Sequence, residues 1–330
     1  MKRIIIQAAM LLFSVGLLGG RAWAVQVPGP LVGPDWLAKH KNEVVILDVR
    51  KDTKSFTAKP KKGGKIAGMQ GCGAKKGAGI QVTGHIPGAI LVNFKHVRAK
   101  RSEDGVDLIK LVPTKEEMEK LMREHGVNDG DAVIIAMKGA GSKDVTFGTR
   151  LYWQMKYWGH DNVAILDGGT AAWAAAGHPL TRDKSKPKPG NWVAKGPNTS
   201  ILATTADVEK AIQDGTQLID GRTEDFYLGS TYKKAYVYAP GHIPGAKNFP
   251  HPLLVKGEVA ATFEPADKLA KLMKAKGIDP KAPSITYCDS GHLSSGHWFV
   301  LHELMGNRQA KLYDGSMHEW TKRKKPVEGL

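Results

Sequence analysis

Short apolar runs alternate with longer amphipathic segments along most of this chain. The short runs are typical of strands buried on both faces, and the longer segments repeat apolar residues with the period of a helix. Strands are predicted at 44–47, 89–93, 132–136, 163–166, 218–219, 246–249, 284–287 and 310–313, and helices at 114–125, 142–158, 170–176, 205–214, 265–276, 294–305 and 316–322. The alternation predicts an α/β fold in which mainly parallel sheets carry helices on both faces.

The pattern occurs twice in the chain. The hexapeptide Gly-His-Ile-Pro-Gly-Ala begins at Gly84 and again at Gly241. Each copy follows a strand that ends in Asp-x-Arg, and each precedes an Asp-Gly turn with a Trp six residues after the Asp. Motifs repeated in the same order predict two tandem domains, at 31–183 and 200–330, joined by a Lys- and Pro-rich linker at 184–199.

The first 24 residues have the features of a secretory signal peptide. Lys2 and Arg3 precede an apolar stretch, and Ala22-Trp23-Ala24 offers small residues at the cleavage positions. The apolar stretch is short for a transmembrane helix, although an uncleaved anchor stays open as the alternative. We therefore expect a periplasmic or secreted protein with no membrane span after cleavage.

The chain is strongly basic. Its formal net charge is +16, and it falls to +13 without the first 24 residues because that segment contains Lys2, Arg3, Arg21 and no acidic residue. Such a balance favours small anionic substrates, acidic partners or an anionic membrane surface through long-range attraction. No recognised nucleic-acid motif accompanies the charge, so nucleic acid is not an expected partner.

The sequence contains two cysteines, Cys72 and Cys288. Two cysteines do not make a disulfide framework, so the chain has either one bridge or two independent thiols. The cysteines and the scattered histidines show no ligand spacing, and no metal site is expected.

Cys288 stands where a predicted strand passes into a Gly- and Ser-containing loop, residues 288–294, that opens a helix. Ligands of parallel sheets gather at the carboxyl ends of the strands, which is where this thiol lies. Loop N–H groups and the positive end of a helix favour the thiolate and bind anions. A thiolate is a sulfur nucleophile, and a buried inert thiol is the alternative.

Taken together, these motifs resemble the rhodanese (sulfurtransferase) family in its tandem two-domain form, over about residues 31–330. The resemblance implies a cysteine that takes the outer sulfur of a donor such as thiosulfate or 3-mercaptopyruvate and holds it as a persulfide. The sulfur then passes to a thiophilic acceptor, cyanide or a thiol, and no cofactor is required. The implied partners are a small anionic donor and this acceptor, with a periplasmic protein as a further candidate acceptor.

The resemblance assigns catalysis to Cys288 and binding to the loop that follows it. Loop amides would surround the sulfur, and hydroxyl and imidazole groups would donate hydrogen bonds to an oxyanion. The alternative roles are helix capping for Ser294, an ion pair with a carboxylate for Arg222 and turn formation for Asp220. The candidate substrate- and loop-binding residues are Asp289, Ser290, Gly291, His292, Leu293, Ser294, Arg222 and Asp220.

The two domains are not equivalent. Alignment of the repeats places Met137 opposite Cys288, and a thioether cannot act as this nucleophile, so the first domain is predicted to be inactive. The resemblance implies that this domain helps to wall the active site. It carries a Gly- and Lys-rich insertion at 51–83, which predicts a surface loop. We hypothesise that Cys72, within this insertion, is a second thiol that relays sulfur to Cys288 or resolves it.

The sequence also departs from the family pattern. Phe226 stands where members have a substrate-binding Arg, six residues after the Asp of Asp-x-Arg. Asp289 and Ser290 follow the cysteine, where thiosulfate-type members place cations. The anionic group of the donor therefore needs another partner, and Arg222, His292 and a lysine of the first domain are the candidates.

Two other function classes are alternatives to the sulfurtransferase. Dual-specificity phosphatases of the Cdc25 type share this domain fold and use a loop cysteine, but they need a longer loop and a phosphate-gripping Arg in the region where Ser294 and Ser295 stand. A non-catalytic sulfur carrier or anion-binding module would use Cys288 only to hold a persulfide for a partner. Turnover with small acceptors separates this carrier from the enzyme.

Overall fold

The computed structural model describes residues 25–59 and 82–330. The predicted signal peptide at 1–24, most of the insertion at 51–83 and Cys72 lie outside the described residues. Within the described ranges, no helix has the length and apolar character needed to cross a bilayer.

The first domain contains a five-stranded parallel sheet in the order β1-β7-β6-β2-β3, together with a separate antiparallel hairpin, β4–β5. Its strands are β1 (Leu31–Val32), β2 (Val45–Arg50), β3 (Ile90–Asn93), β4 (Ala99–Glu103), β5 (Val106–Leu111), β6 (Val133–Ala136) and β7 (Val163–Leu166). Its helices are α1 (Pro34–His40), α2 (Lys115–Glu124), α3 (Ser142–Tyr157) and α4 (Gly169–Ala175).

The second domain repeats this arrangement. Its parallel sheet has the matching order β8-β14-β13-β9-β10, and β11–β12 forms the separate hairpin. Its strands are β8 (Leu202–Ala203), β9 (Gln217–Asp220), β10 (Lys247–Asn248), β11 (Val255–Lys256), β12 (Thr262–Phe263), β13 (Ser284–Tyr287) and β14 (Ala310–Tyr313). Its helices are α5 (Thr205–Asp214), α6 (Glu224–Leu228), α7 (Ala266–Ala275), α8 (Ser294–Trp298) and α9 (Ser316–Lys322).

Both faces of each sheet are covered, because alternate residues of a strand point to opposite sides. In β6, Val133 and Ile135 pack with apolar residues of α2 and α3, whereas Ile134 packs with those of α1 and α4. The predicted α/β fold with two tandem domains is confirmed, and the uninterrupted apolar strands are explained by this double burial.

Most predicted elements are present within a residue or two of their expected bounds, and the strands at 163–166, 284–287 and 310–313 match fully. The helix predicted at 294–305 is α-helical only through Trp298, and Phe299–Leu304 continues it as a π-helix. The two hairpins were missed. They are short or rich in charged residues, so their sequences lack a clear strand alternation.

The histidines of the repeated hexapeptide are structural in both domains. The ring of His85 stacks on Phe56 at 3.5 Å, and its Nδ1 lies 2.9 Å from the carbonyl oxygen of Phe56. His242 makes the same two contacts with Tyr227, at 3.7 Å and 2.8 Å. Each motif therefore anchors the chain that leads into the sheet.

The domains face each other through the helices that follow their central strands. Helix α3 is buried on nearly all sides, and its residues share one apolar cluster with α8 and the π-helical segment. Two equivalent hydrogen bonds cross the interface in opposite directions. Asp314 accepts one from the N–H of Val112 (2.6 Å), and Asp167 accepts the other from the N–H of Phe263 (3.0 Å). The Asp-Gly turn of each domain thus holds the hairpin region of the other.

A buried ion pair also crosses the interface. Arg150 of α3 lies 2.5 Å from Asp314, and the two side chains are 0% and 6% exposed. Arg150 also donates a hydrogen bond to the carbonyl of Gly291 at 3.1 Å. Removing one partner of such a pair leaves an uncompensated buried charge, which is strongly unfavourable.

We expect Arg150→Met to lower the free energy of unfolding by about 3–5 kcal/mol, because Asp314 would stay buried without its cation. Urea unfolding followed by circular dichroism measures this loss. The matched control is Arg308→Met, since Arg308 is 66% exposed beside Glu303 and an exposed pair contributes about 1 kcal/mol or less. Equal losses for the two variants would contradict the role assigned to Arg150.

Candidate active site

Cys288 follows β13, the central strand of the second sheet, and lies at its carboxyl end. The preceding residue, Tyr287, pairs with Asp220 of β9. Cys288 is 1% exposed, but its side chain belongs to the wall of a cavity of about 240 Å³. The thiol is therefore screened from bulk water without being enclosed by apolar side chains alone.

Ser316, at the start of α9, fixes the two ends of the cysteine loop. Its hydroxyl accepts hydrogen bonds from the N–H groups of Cys288 (3.1 Å) and Gly291 (2.9 Å), and it donates one to the carbonyl of Tyr313 (2.8 Å). Its φ angle of 50° is in the left-handed region, where a non-glycine residue is strained. The sequence analysis missed Ser316, and it assigned the Gly291 amide to the sulfur, whereas that amide is taken by Ser316.

Arg222 and Asp220 lie behind the loop rather than in the cavity. Arg222 Nη2 is 2.6 Å from Asp220 Oδ2 and donates to the carbonyl of Gly241 at 2.8 Å. Burial alone would lower the pKa of Arg222, but the adjacent Asp220 raises it above its usual value. Arg222 therefore makes the structural ion pair given as its alternative role, and its Nη1, 3.4 Å from Asp289 Oδ1, also contacts the cysteine loop. Asp220 accepts a hydrogen bond from the N–H of Arg222 at 2.9 Å, which orders the turn after β9.

The loop residues divide into two groups. Asp289, Ser290, His292 and Leu293 line the cavity together with Cys288. The remaining two candidates, Gly291 and Ser294, do not line it.

Gly291 and Ser294 face the protein interior. Gly291 has a φ of 66°, and a Cβ there would lie 2.6 Å from Arg150 Nη1 and 2.7 Å from Asp314 Oδ1. Ser294 is fully buried, and its hydroxyl has no hydrogen-bond partner among the described residues. The capping role for Ser294 is wrong, because Leu293 occupies the N-cap position of α8 without a side-chain cap.

His292 joins the cavity to the first domain. Its Nε2 lies 3.0 Å from the hydroxyl of Thr146, and its ring stacks on Phe147 at 4.7 Å. Burial, with the nearby Arg98 and Arg150, holds the pKa of His292 well below its usual value. The imidazole is therefore neutral at neutral pH and adds no positive charge for a substrate.

Positive charge comes instead from a set of side chains that surround the thiol: Lys51, Arg98, Lys110, Lys143 and Lys233. Asp289 is the carboxylate among the described residues that line the cavity, and burial raises its pKa although Arg222 opposes this shift. Phe94, Phe147 and Tyr236 complete the wall. The cavity therefore combines a sulfur atom with an excess of cations, which suits a small anion.

Comparison with known proteins agrees with this geometry. The family model described as the rhodanese-like domain matches residues 33–176 and 204–323. The chain belongs to the rhodanese family. The matched ranges coincide with the two α/β repeats.

Curated relatives cover much of this rhodanese-family chain. A putative thiosulfate sulfurtransferase of Haloferax volcanii is 34% identical over 241 residues, which is 72% of this chain and 80% of the relative. One of Mycolicibacterium smegmatis is 35% identical over 245 residues, 72% of this chain and 83% of the relative. One of Mycobacterium tuberculosis is 31% identical over 298 residues, 88% of this chain and 94% of the relative.

Solved structures support the same fold. The 3-mercaptopyruvate sulfotransferase SseA of Escherichia coli superposes with a TM-score of 0.68 at 24% identity, covering 87% of this chain and 98% of that one. The Tum1 protein of Saccharomyces cerevisiae superposes with a TM-score of 0.71 at 19% identity, covering 91% and 98%. At these identities the likeness concerns the rhodanese fold alone.

Phe226, which stands where rhodanese members have a substrate-binding Arg, contacts a lysine instead. Its ring supports Lys233, whose Nζ lies 4.8 Å from the ring centroid, within the range of a cation–π contact. Lys233 in turn lines the cavity. Phe226 therefore supports a cation of the cavity wall that stands seven residues further along the chain.

The equivalent loop of the first rhodanese domain is filled by its own side chains. Met137 is fully buried, and a Cβ on Gly148 would lie only 2.2 Å from its methyl carbon. The N–H of Ala140 donates to the carboxylate of Asp144 at 3.1 Å, and burial raises the pKa of that carboxyl. This loop therefore has a thioether where the second domain has the thiol of Cys288. The carboxylate of its own Asp144 accepts the hydrogen bond of a loop amide.

We expect Gly291→Ala to disturb the cysteine loop more than a chemically identical change elsewhere. Any L residue at such a φ costs about 1–2 kcal/mol, and the contacts with Arg150 and Asp314 add an overpacking penalty of about 1–3 kcal/mol. Gly245→Ala is the matched control, because Gly245 has a φ of 74° and no atom within 4 Å of the added Cβ. Urea unfolding and the alkylation rate of Cys288 measure both variants.

The alkylation rate should change only in the Gly291 variant. If Gly245→Ala altered it to the same extent, the loop would not depend on the close approach of Arg150 and Asp314.

Proposed function

We propose that the protein is a periplasmic sulfurtransferase that moves sulfane sulfur from a small anionic donor, such as thiosulfate or 3-mercaptopyruvate, to cyanide or a thiol through a persulfide of Cys288. The observation that supports this most strongly is the position of the Cys288 thiol at the wall of a cation-lined cavity of about 240 Å³. The names of the curated relatives point to the same chemistry.

The reaction with thiosulfate needs no external oxidant. The thiolate of Cys288 attacks the outer sulfur of the donor and forms a new S–S bond. The S–S bond of the donor breaks, and sulfite leaves with its electron pair. An acceptor thiolate or cyanide then attacks the outer sulfur of the persulfide, and the Cys288 thiolate leaves.

The cations make this sequence electrostatically possible. A thiolate and a thiosulfate dianion together bring three negative charges into one small cavity, and like charges at close range repel strongly where water is scarce. The lysines and the arginine around Cys288 offset that repulsion before the bond forms and also while sulfite departs. A neutral cavity of this size would leave the repulsion between thiolate and donor uncompensated.

Intact-mass measurement tests the proposal. We expect the purified protein to gain the mass of one sulfur atom when incubated with thiosulfate or 3-mercaptopyruvate, and we expect peptide mapping to place that atom on Cys288. Subsequent addition of cyanide should remove it and release thiocyanate. Cys288→Ser should abolish both steps, whereas Ser230→Ala, at an exposed hydroxyl, should leave them unchanged.

Two outcomes would contradict the enzyme. The absence of any gain with every sulfane-sulfur donor would reject the persulfide itself. A stable gain that small acceptors never discharge would favour the sulfur carrier instead.

The periplasmic location is proposed from the first 24 residues. We expect the protein recovered from the periplasmic fraction to begin at Val25, and we expect Leu12→Arg, which interrupts the apolar stretch, to retain it in the cytoplasm. N-terminal sequencing of fractionated cells measures this. A wild-type protein that stays in the cytoplasm with Met1 in place would reject export.

A further inference from the structure

The positive charge of the active site comes largely from the domain without the nucleophile. Lys51, Arg98, Lys110 and Lys143 belong to the first domain, whereas Lys233 belongs to the second. Lys51, Lys143 and Lys233 are exposed, but Arg98 and Lys110 are partly buried. Arg98 and Lys110 are thus the two cations that water shields least.

The backbone directs Lys110 toward the cavity. In the hairpin β4–β5, Lys100 pairs with Ile109 and Ala99 pairs with Leu111, so Lys110 is left out of the ladder as a bulge. Its φ is 66°, and its ammonium group lies over the ring of Tyr236. A bulge of this kind turns one side chain away from the regular alternation of a strand.

The second domain fastens the hairpin on both sides of this bulge. The N–H of Ile109 donates to His318 Nε2 at 3.1 Å, and the N–H of Val112 donates to Asp314 Oδ2 at 2.6 Å. Lys110 lies between these two bonds. Its position relative to Cys288 is therefore set by the second domain, although the residue belongs to the first.

Arg98 reaches the same cavity from the residue before β4. Its guanidinium lies 4.4 Å from the centroid of Phe94, and its Nε is buried with no hydrogen-bond partner in the described part of the chain. Burial, with the nearby Arg150, lowers the pKa of Arg98 to about 10. This cation is short of negative charge in its surroundings.

Lys110 is in the same situation. Burial, with the nearby Arg98 and Lys233, lowers its pKa to about 8, although Asp289 and Cys288 oppose the shift. Cations with depressed pKa values are unstable in their charged form, and an anion placed between them relieves that instability. The cavity is thus prepared for negative charge.

We propose that Arg98 and Lys110 are specificity-determining residues of the active site, and that they bind the anionic group of the sulfur donor and favour dianionic over monoanionic donors. This inference rests on the proposed sulfurtransferase function for the identity of the ligand. The catalytic domain supplies the sulfur nucleophile, and the other domain supplies the charge that brings the donor to it.

Paired alkylating reagents test the charge at Cys288 without sulfur transfer. Iodoacetate is an anion and iodoacetamide is its neutral analogue, so the ratio of their rates at Cys288 reports the local potential and cancels changes in thiol reactivity. We expect Lys110→Gln and Arg98→Gln each to lower this ratio about fivefold, which corresponds to the loss of about 1 kcal/mol of attraction at close range.

The control substitution is Lys100→Gln. Lys100 lies in the same hairpin, is exposed and does not line the cavity, so its loss should leave the ratio unchanged. Urea unfolding shows that each variant is folded. An unchanged ratio in folded Lys110→Gln and Arg98→Gln would overturn the inference.

The ratio should also depend on pH in the wild type. Lys110 attracts iodoacetate while it is protonated, so the ratio should be high below a pH of about 8 and should fall as the pH rises through that value. Lys110→Arg keeps the charge at all these pH values, and it should keep the high ratio while removing the step. A step that persists in Lys110→Arg would assign the titration to another group.

Donor selectivity completes the test. Thiosulfate and methanethiosulfonate both carry an outer sulfur, but the first is a dianion and the second a monoanion. We expect Lys110→Gln to raise KM for thiosulfate several-fold more than KM for methanethiosulfonate, and equal changes would overturn the selectivity. A charge-sensitive ratio without any persulfide would reject the proposed function alone, whereas persulfide formation with an insensitive ratio would reject this inference alone.

Discussion

The buried ion pair between Arg150 and Asp314 is the contact on which the architecture depends. It crosses the domain interface immediately behind the cysteine loop, and Arg150 also holds the carbonyl of Gly291 within that loop. Buried ion pairs contribute less to net stability than their Coulomb attraction suggests. Here the pair fixes one relative position of the two domains, and the same guanidinium fixes the shape of the loop, so interface and active site share one anchor.

The interface contains nearly symmetric contacts, although one domain has Cys288 and the other has Met137 at the equivalent position. Asp314 and Asp167 occupy equivalent turns, and each accepts a hydrogen bond from a backbone N–H of the other domain. The hairpins are not equal, since β4–β5 is much longer than β11–β12. The longer hairpin covers the loop with the cysteine, and the shorter one covers the loop with Met137. The Met137 loop is already filled by its own side chains.

The sequence was sufficient for the fold because the relevant signals are local. Apolar runs, the repeated hexapeptide and the Asp-Gly turns each reflect a few consecutive residues, and they predicted the sheets, the duplication and the place of Cys288 at a strand end. The residues that complete the site depend on contacts between distant segments. Lys110 is one polar residue in a charged stretch, and nothing in its neighbours shows that a bulge aims it at another domain. Ser316 and Arg150 were missed for the same reason.

The bulge at Lys110 implies that the charge beside Cys288 can be altered by changing the length of the hairpin as well as by substitution. Deleting one residue from β5 would restore the regular alternation and swing the ammonium group to the opposite face of the ribbon. Cys288, its loop and the strands that support it belong to the other domain and keep their sequence. A domain with a methionine at the position of Cys288 thereby supplies a separately adjustable part of the cavity of its neighbour.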